Sequence, residues 1–213
     1  MKKVALPFFV FLMRAFTSNL AAQNIQLSVS GTYGVVLDQF QNKNFNAIGL
    51  SLWHESKIDN HVTLGADIDW QCLETEPAIA EPYSSNSGLP NLTYTIDRHQ
   101  FNIRPTIRYY FKKTFQGFYT GVFATYSSLK IKDSNYPQLA SYNPKSHKAP
   151  SYETYFGGGF TYGFRLKLTE SLHASAFGSH QFALTFWTDR KQQDHQLGLG
   201  LNWTIKSLKK RLH

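Results

Sequence analysis

The sequence has one cysteine, Cys72, in 213 residues. No disulfide can form within the chain, and a four-cysteine metal site is excluded. It also lacks an apolar run of the roughly 20 residues a transmembrane helix needs, and Arg14 ends the most promising stretch, Ala5 to Met13. Charged residues are scarce at 17%, whereas aromatic residues reach 15%, a balance that argues against disorder and suits strands or lipid exposure. None of the eight histidines falls in a zinc spacing such as His-Glu-x-x-His, and no metal site or cofactor is expected. Gly157-Gly-Gly159 and Gly198-x-Gly200 lack the P-loop sequence and its strand-turn-helix setting, so they read as room for neighbouring side chains. The formal charge of +8 comes from scattered Lys and Arg, with one dense run from Lys206 to Arg211. Nucleic-acid binding is therefore not expected, whereas a polyanion such as lipopolysaccharide suits the charge.

What is present begins with an export signal. Lys2 and Lys3 form a positive start, Ala5 to Met13 an apolar middle, and Ala21-Ala22 a small-residue cleavage neighbourhood. We expect residues 1–22 to be removed, 23–206 to form one domain, and 207–213 to be a short basic tail. Losing Lys2, Lys3 and Arg14 takes the formal charge from +8 to +5. No cysteine follows the signal region, so a lipidated N-terminal cysteine is not expected.

Thereafter the dominant period is two, the mark of strands with chemically different faces. Ile25, Leu27, Val29, Tyr33, Val35 and Leu37 share one parity, and Gln26, Ser28, Ser30 and Thr32 the other. Similar runs follow around Ile48 to Leu52, Val62 to Trp70, Gln100 to Phe111, Gly117 to Lys130, Tyr155 to Leu166, Leu172 to Leu184 and Gln196 to Ile205. The fifth run carries aromatics on both parities and leaves its faces open. Pro105 within the fourth suggests a local bulge, because proline cannot complete a ladder. Eight runs without an intervening helix predict an all-β fold, an eight-stranded antiparallel up-and-down transmembrane β-barrel. Short connections are expected at His54 to Asn60, Lys112 to Gln116 and Leu168 to Ser171. Long loops are expected at 74–92 and 132–150; they should face outward and are the candidates for extracellular partners.

The polar parity decides which face is inside. It holds Gly, Ser, Thr, Asn and Gln, with Lys and Glu nearly absent from strand middles. That composition suits a crowded interior better than a water-facing exterior. Asp67 and Asp69 of the third run lie beside Arg104 and Arg108 of the fourth, and these four are the candidate lumenal ion pairs. Trp70, Trp203, Tyr109 and Phe111 sit near strand ends on the apolar parity, where aromatic girdles belong.

The segments Ile103-Arg-Pro-Thr-Ile-Arg-Tyr-Tyr-Phe111, Gly157-Gly-Gly-Phe-Thr-Tyr-Gly163 and Leu197-Gly-Leu-Gly-Leu-Asn-Trp203 carry a resemblance to the small outer-membrane β-barrel families of the OmpA-barrel and OmpX-like kind, common in Bacteroidota. Those families usually end in an aromatic at or near the C-terminus; here Ser207 to His213 extend beyond Trp203 and Ile205. The resemblance implies an outer-membrane location, outer-membrane lipid and lipopolysaccharide as surroundings, and a structural or surface-interaction role. A narrow solute channel is the main alternative; a lipid A-modifying enzyme and a soluble lipocalin-like carrier rank lower. Among such barrels are lipid A deacylases, and His173-Ala174-Ser175 has the His and Ser two apart. The pair directly follows a short turn on the inward parity, the wrong end and face for that substrate, so no catalytic residue is assigned and the protein is expected not to be an enzyme. Cell fractionation should recover it in the outer membrane, with an unheated sample migrating differently from a boiled one on SDS gels. Soluble recovery without a shift would place the apolar parity inside.

Overall fold

The computed structural model describes residues 25–38, 43–80, 91–134, 151–185 and 191–205. The signal segment 1–22, the tail 207–213 and most of the two expected long loops lie outside the described residues. Eight strands follow one another: β1 (Ile25–Asp38), β2 (Lys43–Lys57), β3 (Val62–Ala80), β4 (Leu92–Tyr110), β5 (Gly117–Asp133), β6 (Ser151–Lys167), β7 (Leu172–Leu184) and β8 (Lys191–Ile205). Each pairs antiparallel with the next, and β8 closes on β1.

The register fixes the shape. From Ile25 the paired residues run through Ser56, Leu64, Ile107, Val122, Phe160, His180 and His195 and return to β1 at Val35, ten residues further along. With ordinary strand spacings this stagger tilts the strands by about 40° and leaves an interior that side chains can fill.

Burial alternates along the strands. Ser28, Ser30, Thr32, Ser51, Asn102 and Gln181 point inward and are buried, whereas Leu27, Leu52, Val122, Phe160, Leu199 and Leu201 face out. Leu199 is 72% exposed; so large an apolar surface on a polar-filled barrel is a bilayer-facing belt. In β5 the odd parity turns in, with Tyr119, Phe123, Thr125 and Ser127 buried and Phe118 and Val122 outside. Trp70, Trp203, Tyr109 and Phe111 are all exposed on the outer wall.

Three turns, 58–61, 111–116 and 168–171, are short and lie at one end, which by the asymmetry of outer-membrane barrels is periplasmic. In the first, Asp59 Oδ1 accepts the backbone N–H groups of His61 and Val62 at 2.6 and 2.9 Å, and these bonds hold its carboxyl below the usual range. In the second, Phe115 takes the left-handed backbone region (φ 66°) while its ring is buried beneath Tyr110.

Three expectations are corrected. The connection read at His54 to Asn60 begins later, because β2 continues to Lys57. The loops read as 74–92 and 132–150 are shorter: residues through Ala80 pair with Leu92 to Arg98, and β5 runs to Asp133. Beyond the belt both strand faces meet water, so hydrophobic alternation fades while the backbone ladder continues. The bulge expected at Pro105 is elsewhere: the register shifts between Leu73 and Glu76. At Pro105 the ladder to β5 is merely interrupted, with Ile103 opposite Tyr126 and Thr106 opposite Phe123 in unchanged register.

Leu199→Arg should lose about 2–4 kcal/mol of folding stability in lipid, the cost of a cation near the bilayer midplane. Leu199→Ala should be mild by comparison. Urea titrations in vesicles measure both; equal losses would mean that Leu199 does not face hydrocarbon.

Candidate functional site

Chemistry-bearing side chains in the described residues concentrate in the lumen, and their hub is Glu55. Because β2 continues to Lys57, the parity of Ser51 and Trp53 carries Glu55 inward, where it is 1% exposed. Arg165 of β6 donates to both its oxygens, Nη1 to Oε2 at 2.8 Å and Nη2 to Oε1 at 3.1 Å. Arg108 pairs with Oε1, and the Tyr110 hydroxyl donates to Oε2 at 2.8 Å. One carboxylate thereby links β2, β4 and β6 across the barrel.

The four residues singled out by alternation all lie inside. Arg108 donates through Nη2 to Asp67 Oδ2 at 2.6 Å, and Thr106 Oγ1 donates to the same oxygen at 3.2 Å. Arg104 pairs with Asp69 and also donates to Gln196 Oε1 at 3.0 Å and Ser179 Oγ at 3.3 Å. Asp67 and Arg104 are opposite in the ladder, yet the ion pairs run diagonally. The other end of Arg108 is taken by Glu55.

Aromatic rings enclose the charges. Arg108 lies 4.5 Å from the Trp53 ring centre, and Arg165 lies 5.5 and 5.3 Å from Tyr110 and Tyr119, within cation–π reach. Trp53, Tyr110, Phe115, Tyr119 and Phe177 form one buried cluster toward the periplasmic end. Glycines make the space: a Cβ on Gly198 would strike the Phe177 ring, and one on Gly163 the Tyr119 ring. Above lies an amide layer in which Gln192 donates to Gln100 at 2.6 Å, Gln100 to Asn102 at 3.0 Å and Gln196 to Asp194 at 2.9 Å. Val36, Phe45, Leu73, Leu129 and Tyr155 then form a second buried apolar cluster toward the outer end. These layers follow one another through the described lumen.

The pair weighed for deacylation lies inside too. His173 and Ser175 are buried, with His173 Nδ1 3.3 Å from Gln26 Nε2 and Ser175 Oγ donating to the Gly200 carbonyl at 3.4 Å. Among the described residues no cluster of three or more His, Cys, Asp or Glu side chains is arranged to hold a metal ion.

Sequence reading missed Glu55, Tyr110 and Arg165 as network members. A signal existed: Arg165 stands on the inward parity of β6 and needed an acid, but the residue supplying it was read as part of a turn.

Residues 42–178, well over half of the chain, match a family described as "Protein of unknown function (DUF3575)". The chain belongs to that family. No curated protein matches it. Its fold is similar to that of Neisserial surface protein A, NspA, with a TM-score of 0.54 at 12% identity over 85% of this chain and 97% of that one. It is also similar to Ail, the attachment invasion locus protein of Yersinia pestis, solved with the heparin analogue sucrose octasulfate: TM-score 0.51, 10% identity, 86% of this chain and 99% of that one. At these identities the likeness is one of fold: the chain is a small eight-stranded barrel of the outer-membrane type.

Glu55→Ala should destabilise the barrel by about 3–5 kcal/mol, since it leaves Arg108 and Arg165 without their shared acid in a buried site. A cycle of Asp67→Ala and Arg108→Ala should show losses well short of additive. Denaturant midpoints in detergent measure both, and additive losses would remove the Asp67–Arg108 pair.

Proposed function

We propose that this protein is a closed, non-enzymatic outer-membrane barrel whose role is played by its external end, as a surface contact with polyanionic partners. The observation that carries the reading is the filled lumen. Four buried arginines, Arg98, Arg104, Arg108 and Arg165, their carboxylates, an amide layer and an apolar cluster at each end occupy the described interior. A solute channel of this width needs a lined gap, and in an eight-stranded barrel side chains usually take that space.

What remains for partners is the rim. The β3–β4 hairpin stands above the aromatic belt, where Glu76 joins Arg98 at 3.0 Å and pairs with Lys43. Both cations hold the Glu76 carboxyl below its usual range, the Lys43 hydrogen bond first. Lys130 lies 5.8 Å from the Tyr152 ring centre on the neighbouring strand, and Lys132 and Lys191 are exposed at the same end. Cations at this level suit the phosphates of lipopolysaccharide or the sulfates of a polysaccharide. Ail, similar in fold, was solved with a sulfated heparin analogue, which supports a search among such polyanions.

In planar bilayers the purified protein should give no resolved single-channel steps, and its expression should leave the lipid A profile unchanged. Retention on immobilised heparin or lipopolysaccharide should fall several-fold when Lys130, Lys132 and Lys191 are changed together to Gln. Stepwise conductance would reject the closed lumen, and altered lipid A would reject the non-enzymatic role. Undiminished retention of the triple variant would reject the rim as the polyanion contact.

A further inference from the structure

The outer wall is not uniformly bulky. Three successive outward positions of β7, Ala174, Ala176 and Gly178, are small and lie between two tall rows. Ala176 is flanked in the ladder by Phe164 and Leu199, and Gly178 by Tyr162 and Leu197. The result is an open furrow of about 720 Å³ with almost entirely apolar walls, running from Phe111 and Phe118 up to Leu197. Its size falls within the range of about 300–1,000 Å³ typical of small-molecule sites. Tyr162 leans over Gly178, where a Cβ would collide with the ring.

Position and charge say what fills it. The furrow lies within the bilayer-facing belt, and its lower end, at Phe111 and Phe118, belongs to the short-turn rim. Exposed Lys112 and Lys113 follow Phe111 at that end. Glu170, in the turn beyond Lys167, is the acid nearest in sequence to this entry. An apolar groove ending beside two cations matches one molecule, a lipid with an acyl chain and an anionic headgroup. We propose that the furrow holds an acyl chain of an anionic phospholipid from the periplasmic leaflet, its phosphate held by Lys112 and Lys113. Small residues gain little from the hydrophobic effect inside a bilayer, so retention comes from close packing along the groove and from the headgroup charge.

Native mass spectrometry of the full chain, exchanged into micelles carrying equal phosphatidylglycerol and phosphatidylcholine, tests this. The expected result is one phosphatidylglycerol retained per barrel, favoured over phosphatidylcholine about tenfold or more. Ala176→Phe, which fills the furrow without touching the lumen, should abolish retention while preserving the heat-dependent gel shift. Changing Lys112 and Lys113 together to Gln should bring the two lipids level. If Ala176→Phe fails to fold, Ala176→Leu serves the same purpose. Equal retention by the filled variant would overturn the proposal, as would no lipid preference in the native protein. A wild-type dimer that Ala176→Phe dissolves would also overturn it, by assigning the furrow to a second copy of the chain.

Discussion

A bilayer core offers no water to backbone N–H and C=O groups, so a sheet crossing it must satisfy every one within itself. Closure of β8 onto β1 meets that demand, and much else in the structure follows from it. Closing eight strands with a ten-residue stagger leaves a narrow interior, and period two then sends every second residue into it. With the apolar parity claimed by lipid, the polar parity has nowhere else to go. The lumen must therefore be a polar core, and a polar core is costly unless its groups find partners.

The ion network is the answer to that cost. The guanidiniums of Arg104, Arg108 and Arg165, deep inside a closed wall, each demand charge compensation. Glu55 serves two of them at once, Asp67 shares one of those, and Asp69 meets Arg104. A fourth carboxylate, Asp194, has no arginine at ion-pair distance among the described residues and is met by the amides of Gln196 and Gln71. Such a network contributes less by net energy than by excluding alternatives. A one-residue slip of β2 against β3 would turn Glu55 into hydrocarbon and leave Arg108 and Arg165 buried without it. The charges thus enforce the register that the closed ladder needs.

The fold was legible because lipid and lumen impose opposite chemistry on adjacent residues, and that contrast is written directly in parity. Legibility stopped where the contrast stopped. Above the belt, Glu74 to Ile79 and Leu92 to Asp97 are partly or fully exposed on both parities, so a continuing ladder looked like a loop. At the other end, polar His54 to Lys57 looked like a turn, and the mistake concealed the hub of the network. Asp67, Asp69, Arg104 and Arg108 were readable as a set because they share one parity on neighbouring strands. Which acid meets which arginine was not, since guanidinium reach exceeds the ladder spacing and selects diagonal partners. Phe177 and Phe123 could not be assigned inward from hydrophobicity, because an aromatic ring suits either face; the glycines opposite them were the informative residues.

A filled lumen also moves the question of function to surfaces. On the reading proposed above, whatever distinguishes this barrel from others of its fold is displayed at a rim or on the belt. The two are under different constraints. Above the belt, side chains are free of the parity rule, and the bulge between Leu73 and Glu76 re-aims the β3–β4 hairpin there. On the belt, any apolar residue satisfies lipid, so size is the one property free to vary. A local choice of Ala and Gly against Phe, Tyr and Leu therefore carries shape information that hydrophobicity alone does not demand, and shape is the means by which a membrane-facing wall can favour one occupant over another.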